Sequence, residues 1–285
     1  MEQNDEFRWL EDVEGGDSMA WVRIRNERAE SELFDAAEFD WLRTSALDIL
    51  EADDRIAYPS RHGNVVHSFW TDAEHRRGLL RRTTWTDYRT GDPSWEMILD
   101  IDALCEEEDE SWVFRGSSER RPGRRRSLID LSPGGSDASV TREFDLVDKR
   151  FVPEVEGGFV RPLAKGGLIW IDDDSVYVTS DFGPGTLTRS GYPRTVRRWR
   201  RGTPIDDAEI VFEGEESDVA VRASVSNVGG FEHHVFERVP EFFTTQTSIL
   251  RRGVVSGLRK RAIWIAVPRI TDGASTVCRR KTRCC

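Results

Sequence analysis

Cysteine, histidine and methionine are scarce in these 285 residues, with four Cys, five His and three Met. Cys278, Cys284 and Cys285 fall in the last eight residues, which leaves Cys105 alone in the body of the chain. No CxxC pair and no Cys/His spacing points to zinc, and nothing suggests a disulfide framework, so reduced thiols are the default. Long hydrophobic runs are missing as well. The longest, 262–267, is too short to cross a bilayer. Residues 1–12 are acidic and lack the basic-then-apolar order of a signal peptide. The expected location is cytoplasmic, with no membrane partner, and no motif indicates a cofactor.

What is present is charge and aromatic surface. Charged residues make up 33% of the chain, and ten Trp with fourteen Phe can build a core. The net charge of −11 argues against a nucleic-acid partner. That average hides a break: residues 250–285 hold ten Lys/Arg against one acid, Asp272. Such a switch marks either a basic tail or a segment foreign to the fold before it.

Residues 17–52 read as helical. Met19, Trp21, Val22, Ile24, Ala29, Leu33 and Phe34 recur at helical spacing, with Asp17 or Ser18 placed to cap the start. A second amphipathic stretch, 38–51, offers Phe39, Leu42, Leu47, Ile49 and Leu50 for packing. After about residue 55 the texture changes to short strands. They are expected at 65–70, 79–85, 96–101, 112–115, 127–131, 139–146, 168–171, 176–179, 195–200, 209–213, 219–225, 234–239 and 242–250. An Arg-rich strand, a turn and a second strand near acids recur at 79–101, 140–152 and 195–213. Their second strands fall near Ile98, Phe151 and Val211, about 53 and 60 residues apart against roughly 40–50 for a propeller blade, and many short strands at such a period favour a β-propeller over a sandwich.

Several segments together resemble the prolyl oligopeptidase family of serine peptidases. Arg8-Trp9-Leu10-Glu11-Asp12 followed by Ala20-Trp21-Val22 is similar to that family's opening. Phe69-Trp70-Thr71-Asp72-Ala73-Glu74-His75-Arg76-Arg77-Gly78 with Arg81-Arg82-Thr83-Thr84 resembles its first propeller strands. Ser132-Pro133-Gly134-Gly135-Ser136-Asp137-Ala138 with Arg142-Glu143-Phe144-Asp145-Leu146 is similar to a later blade. The longest likeness runs through Asp181-Phe182-Gly183-Pro184-Gly185, Ser190-Gly191-Tyr192-Pro193 and Trp199-Arg200-Arg201-Gly202-Thr203-Pro204. It covers roughly residues 7–250; Asn4-Asp5-Glu6-Phe7 departs from the family's Asp-Pro-Tyr type of entry.

The resemblance implies an N-terminal segment that packs on an α/β-hydrolase domain, then a seven-bladed propeller that limits entry to short peptides, then the hydrolase itself. The family's Ser, Asp and His catalytic residues all lie in that last part. The expected fold class is therefore mainly β, a partial β-propeller preceded by an N-terminal helical segment. The expected boundaries are 1–54 for the helical segment, 55–252 for the partial propeller and 253–285 for an atypical basic, Cys-containing tail. Resemblance stops near Gly253, where Arg259-Lys260-Arg261, Arg279-Arg280-Lys281 and Cys284-Cys285 follow. A shifted reading frame or truncation gives such a switch; a true basic tail is the alternative.

Acyl transfer needs a serine on a G-x-S-x-G turn, a histidine to take its proton and a carboxylate to orient the histidine. The nearest approach, Gly134-Gly135-Ser136-Asp137-Ala138, lacks the final glycine and reads as a β-turn. His62, His67, His75 and His233-His234 read as strand residues without catalytic or metal roles, and no hydroxyl, imidazole and carboxylate are expected to converge. Asp172-Asp173-Asp174 and Glu106-Glu107-Glu108 read as solvated turns rather than glycosidase carboxylates. Arg124-Arg125-Arg126 and Arg197-Arg198 with Arg200-Arg201 are expected to pair with acids. No catalytic, cofactor or metal residues are assigned. The expected function is that of a propeller fragment of a peptidase, inactive alone. A module that binds peptides or a separate hydrolase domain is the second reading.

Overall fold

The computed structural model describes residues 5–34, 36–52, 54–228, 231–251 and 263–267. Two helices come first, α1 (Gly16–Leu33) and α2 (Ala36–Glu51). Neither Asp17 nor Ser18 caps α1. Gly15 holds the N-cap position, and the Ser18 hydroxyl instead donates to the Trp9 carbonyl at 3.0 Å. Trp21 packs edge-on against Trp9, and Phe34 stacks on Phe39 with ring centres 4.5 Å apart. Most other apolar side chains that helical spacing lines up for packing stay exposed, among them Leu42 (52%), Ile49 (69%) and Leu50 (62%), and so does Trp41 (65%).

Most of the other described residues form four antiparallel sheets whose strands follow chain order, except that Val160–Ala164 returns to pair with Ser139–Asp145. Sheet I contains β1 (Ser60–His62), β2 (Val65–Trp70), β3 (Leu79–Thr84) and β4 (Glu96–Asp100). Sheet II contains β5 (Trp112–Glu119), β6 (Arg126–Pro133) and β7 (Ser139–Asp145), with β8 (Arg150–Phe151) and β9 (Val160–Ala164) both pairing with β7. Sheet III contains β10 (Gly167–Asp172), β11 (Ser175–Thr179), β12 (Thr195–Arg200) and β13 (Glu209–Glu213). Sheet IV contains β14 (Ala220–Val228), β15 (Phe231–Glu241), β16 (Thr244–Arg251) and β17 (Ile263–Val267). The recurring unit of the sequence is the last two strand positions of sheets I, II and III.

Three apolar layers join the four sheets. Leu80, Ile98, Ile129, Leu131 and Phe144 fill the space between I and II. Leu128, Phe159, Trp170, Val176 and Trp199 lie between II and III. Tyr177, Val196, Val221 and Phe236 lie between III and IV. Each fully buried Leu, Ile or Phe contributes about 1.5–3 kcal/mol, so the adhesion is chiefly blade on blade. Central strands carry apolar residues on both faces for this reason; all five residues of β11 are buried. The fold is that of consecutive β-propeller blades behind a helical arm.

Local chemistry moves several expected borders. The strand expected to reach Ile101 stops at Asp100, whose Oδ1 accepts from the backbone N–H groups of Asp102 and Ala103. That cap starts α4 (Ile101–Glu108), so Glu106-Glu107-Glu108 lie on a helix and not in a turn. Thr84 likewise accepts from the Asp87 N–H and opens the short α3 (Trp85–Tyr88). The final expected strand begins at Thr244, because the exposed Phe242 and Phe243 form the hairpin loop before it. Of the segment 253–285, only 263–267 lie among the described residues, where they pair with β16. Arg259, Lys260, Arg261, Arg279, Arg280, Lys281, Cys278, Cys284 and Cys285 fall outside them.

Candidate functional site

Polar side chains meet where one sheet adjoins the next. Between III and IV, strand β15 places Glu232 and His234 two residues apart and so on one face. His234 Nε2 lies 2.6 Å from Glu232 Oε1, and its Nδ1 lies 2.9 Å from the Tyr177 hydroxyl on β11. Sequence reasoning expects no hydroxyl–imidazole–carboxylate set, and here is one. Tyr177 is 57 residues from His234, so only sheet stacking brings them together. The hydroxyl is a phenol, and Tyr177 and His234 are 3% and 0% exposed, so no substrate carbonyl reaches it. This set ties two blades together.

A second cluster joins I to II. In the β1–β2 hairpin Ser60 pairs with His67 and His62 with Val65, so Ser60, His62 and His67 share a face. That face meets Glu119 at the end of β5. His62 Nδ1 lies 2.7 Å and His67 Nδ1 3.0 Å from Glu119 Oε1, while Arg124 Nη1 lies 3.0 Å from Oε2. Burial pushes the Glu119 carboxyl upward, but His67, Arg124 and His62 outweigh it and hold it at about 2. His67 is 9% exposed, and neither of its ring nitrogens makes a well-formed hydrogen bond, so its Nδ1 acts on Glu119 as a close charge contact.

Ser60 Oγ lies 3.3 Å from His62 Nε2, so a serine, an imidazole and a carboxylate also stand in sequence here, again against the expectation. Ser60 sits on an edge strand and not on the sharp strand-to-helix turn that raises a nucleophilic serine clear of a sheet. Glu119 Oε1 is moreover shared with His67. The sequence offered the three residue types, but Glu119 is 57 residues from His62 and no motif connects them.

The other residues singled out in the sequence lie apart. Ser136 is exposed in the β6–β7 turn, where its hydroxyl donates to the Ala138 carbonyl. His75 faces Asp72 at 3.0 Å and Asp100 at 3.7 Å. Glu108 accepts from the Trp112 indole at 2.8 Å and from Arg142. In the β10–β11 turn, Asp172, Asp173 and Asp174 face Arg198, Arg120 and Arg201 respectively. Arg125 and Arg126 reach the buried Asp145, and Arg197 lies over the Phe182 ring. A buried group that the sequence did not flag is Arg161. It is fully enclosed, donates to Thr141, Ser139 and the Ala164 carbonyl, and is lowered by burial to about 10. No helix of the described residues is long and apolar enough to cross a membrane.

The model of the N-terminal β-propeller domain of prolyl oligopeptidase matches residues 1–231. Over 253 residues the chain is 38% identical to an uncharacterized peptidase of Sinorhizobium fredii, covering 88% of this chain and 34% of that one. Over 226 residues it is 28% identical to an uncharacterized peptidase of Rickettsia prowazekii, covering 76% and 31%. The chain thus spans about a third of the length of the curated relatives it matches. A post-proline cleaving enzyme from Rickettsia typhi superposes with a TM-score of 0.81 at 25% identity, covering 94% of this chain and 39% of that one. Oligopeptidase B from Leishmania major superposes at 0.65 with 11% identity, covering 90% and 34%, a likeness of fold alone.

Proposed function

Because this chain belongs to the prolyl oligopeptidase family through its N-terminal β-propeller domain, we propose that it supplies the part of a serine peptidase that screens short, proline-containing peptides. Hydrolysis itself then requires an α/β-hydrolase portion, joined to these blades or encoded apart. The observation that carries this reading is the helical arm. Helix α1 exposes Ile24 and Leu33, and helix α2 exposes Trp41, Leu42, Ile49 and Leu50, on a segment that the family resemblance places against the hydrolase domain. Leaving such side chains half-exposed forgoes about 1–2 kcal/mol each, which a covering partner recovers.

The polar sets at the blade junctions support the same reading. One ends in a sealed phenol, and the other ends in a serine on an edge strand with a carboxylate shared between two imidazoles. The purified chain is expected to leave a Gly-Pro chromogenic peptide intact. Turnover abolished by a serine-directed fluorophosphonate contradicts this assignment.

A further inference from the structure

We propose that His62, His67 and Glu119 form a binding site for one divalent transition-metal ion of the Zn²⁺ class at the junction of the first two blades. One ligand atom from each lies within 4.8 Å of the other two. Tetrahedral zinc, with bonds near 2.0–2.2 Å, needs its ligand atoms about 3.3 Å apart. The observed separations of 2.7 Å and 3.0 Å from Glu119 Oε1 lie just inside that value. Small side-chain shifts therefore open the cluster to an ion.

Three observations make this more than proximity. His67 is nine-tenths buried, yet neither ring nitrogen makes a well-formed hydrogen bond, although Nδ1 stands 3.0 Å from Glu119 Oε1, so the ring is desolvated without a proper partner. Two imidazoles with one carboxylate suit Zn²⁺, whereas Ca²⁺ and Mg²⁺ prefer oxygen ligands alone. The outer contacts are also in place: Ser60 Oγ accepts from His62 Nε2 once Nδ1 is bound to metal, and Arg124 fixes Glu119 through Oε2, leaving Oε1 for the ion. Water completes the coordination.

The site spans β1, β2 and β5, so metal binding ties sheet I to sheet II. The test uses the full chain, stripped with EDTA and titrated with Co²⁺ as a spectroscopic probe, then with Zn²⁺ in competition. One Co²⁺ per chain with the visible bands of tetrahedral cobalt is expected, displaced by Zn²⁺ but not by Mg²⁺. His62→Gln, His67→Gln and Glu119→Gln should each weaken Zn²⁺ binding by roughly tenfold or more. His75→Gln, which removes an imidazole from the Asp72–Asp100 pair, should leave it unchanged. No stoichiometric uptake, or uptake indifferent to all three ligand substitutions, overturns the proposal. If a variant fails to fold, the wild-type chain carries the test. Zn²⁺ must shift the imidazole resonances of His62 and His67 among its five histidines, and a shift of neither, or of another pair, overturns it.

Discussion

Arg201 and Glu143, 58 residues apart, meet in a two-pronged ion pair across the boundary of the second and third blades. Nη1 lies 2.8 Å from Oε2 and Nη2 3.2 Å from Oε1. Glu143 is 1% exposed, and its Oε2 also accepts from the Phe159 N–H at 3.0 Å. The same guanidinium donates to the Asp173 and Gly157 carbonyls, so one side chain binds β7, the β10–β11 turn and the loop before β9.

Arg201→Met should therefore destabilise strongly, because it leaves a buried carboxylate without its main counter-charge. The cost is about 3 kcal/mol, the low end for breaking a buried pair, since Arg126 remains 3.8 Å from Oε1. The double substitution Glu143→Leu with Arg201→Met should cost less than Arg201→Met alone. Urea unfolding of the three variants measures both differences.

Tyr177→Phe should remove only a structural hydrogen bond between blades III and IV. The expected loss is about 1–2 kcal/mol, seen as a lower urea midpoint with an unchanged slope. A loss much below this range would show that the Tyr177–His234 contact does not hold the blades together.

Acid should loosen the junction between blades I and II. The Glu119 carboxyl is held at about 2 in the fold, against 4.5 for a free glutamate. A depressed carboxyl stabilises fully above the unfolded value, and this stabilisation drains away as pH falls from about 4.5 towards 2. Thermal unfolding measured across that window should steepen for the wild type and flatten for Glu119→Gln. Equal slopes would remove the cluster from the account of acid stability.

The blades were legible in the sequence where strands alternate or run continuously apolar between turns. Val65–Trp70, Thr195–Arg200 and Glu209–Glu213 fall where the pattern puts them. The short edge strand β1, with Arg61 and His62 in three residues, has no such pattern, and Pro162 interrupts the pattern of β9. Helix α4 did leave a signal: Asp100 as cap with Ile101, Leu104 and Cys105 at helical spacing, hidden by the strand before it and the acids after it. Both polar clusters escaped notice because stacking of separate sheets, rather than any local spacing, assembles them. The periodicity of α1 and α2 was correctly helical, yet it predicted burial that these blades do not provide.

That uncovered arm has a solution consequence. The chain is expected to self-associate through α1 and α2, and replacing Trp41, Leu42, Ile49 and Leu50 with Gln should shift it to monomer in light scattering after size exclusion. A wild-type monomer with a sharp, cooperative unfolding transition would contradict the arm's role as a docking surface.

The most direct test of the central claim is the intact mass of the purified chain after exposure to a serine-directed fluorophosphonate. The account predicts an unmodified protein, because Ser60 sits on an edge strand with its orienting carboxylate shared between two imidazoles, and the exposed Ser136 hydroxyl donates to the Ala138 carbonyl. A stoichiometric adduct that disappears in Ser60→Ala or Ser136→Ala would mean that this chain carries peptidase-type chemistry of its own.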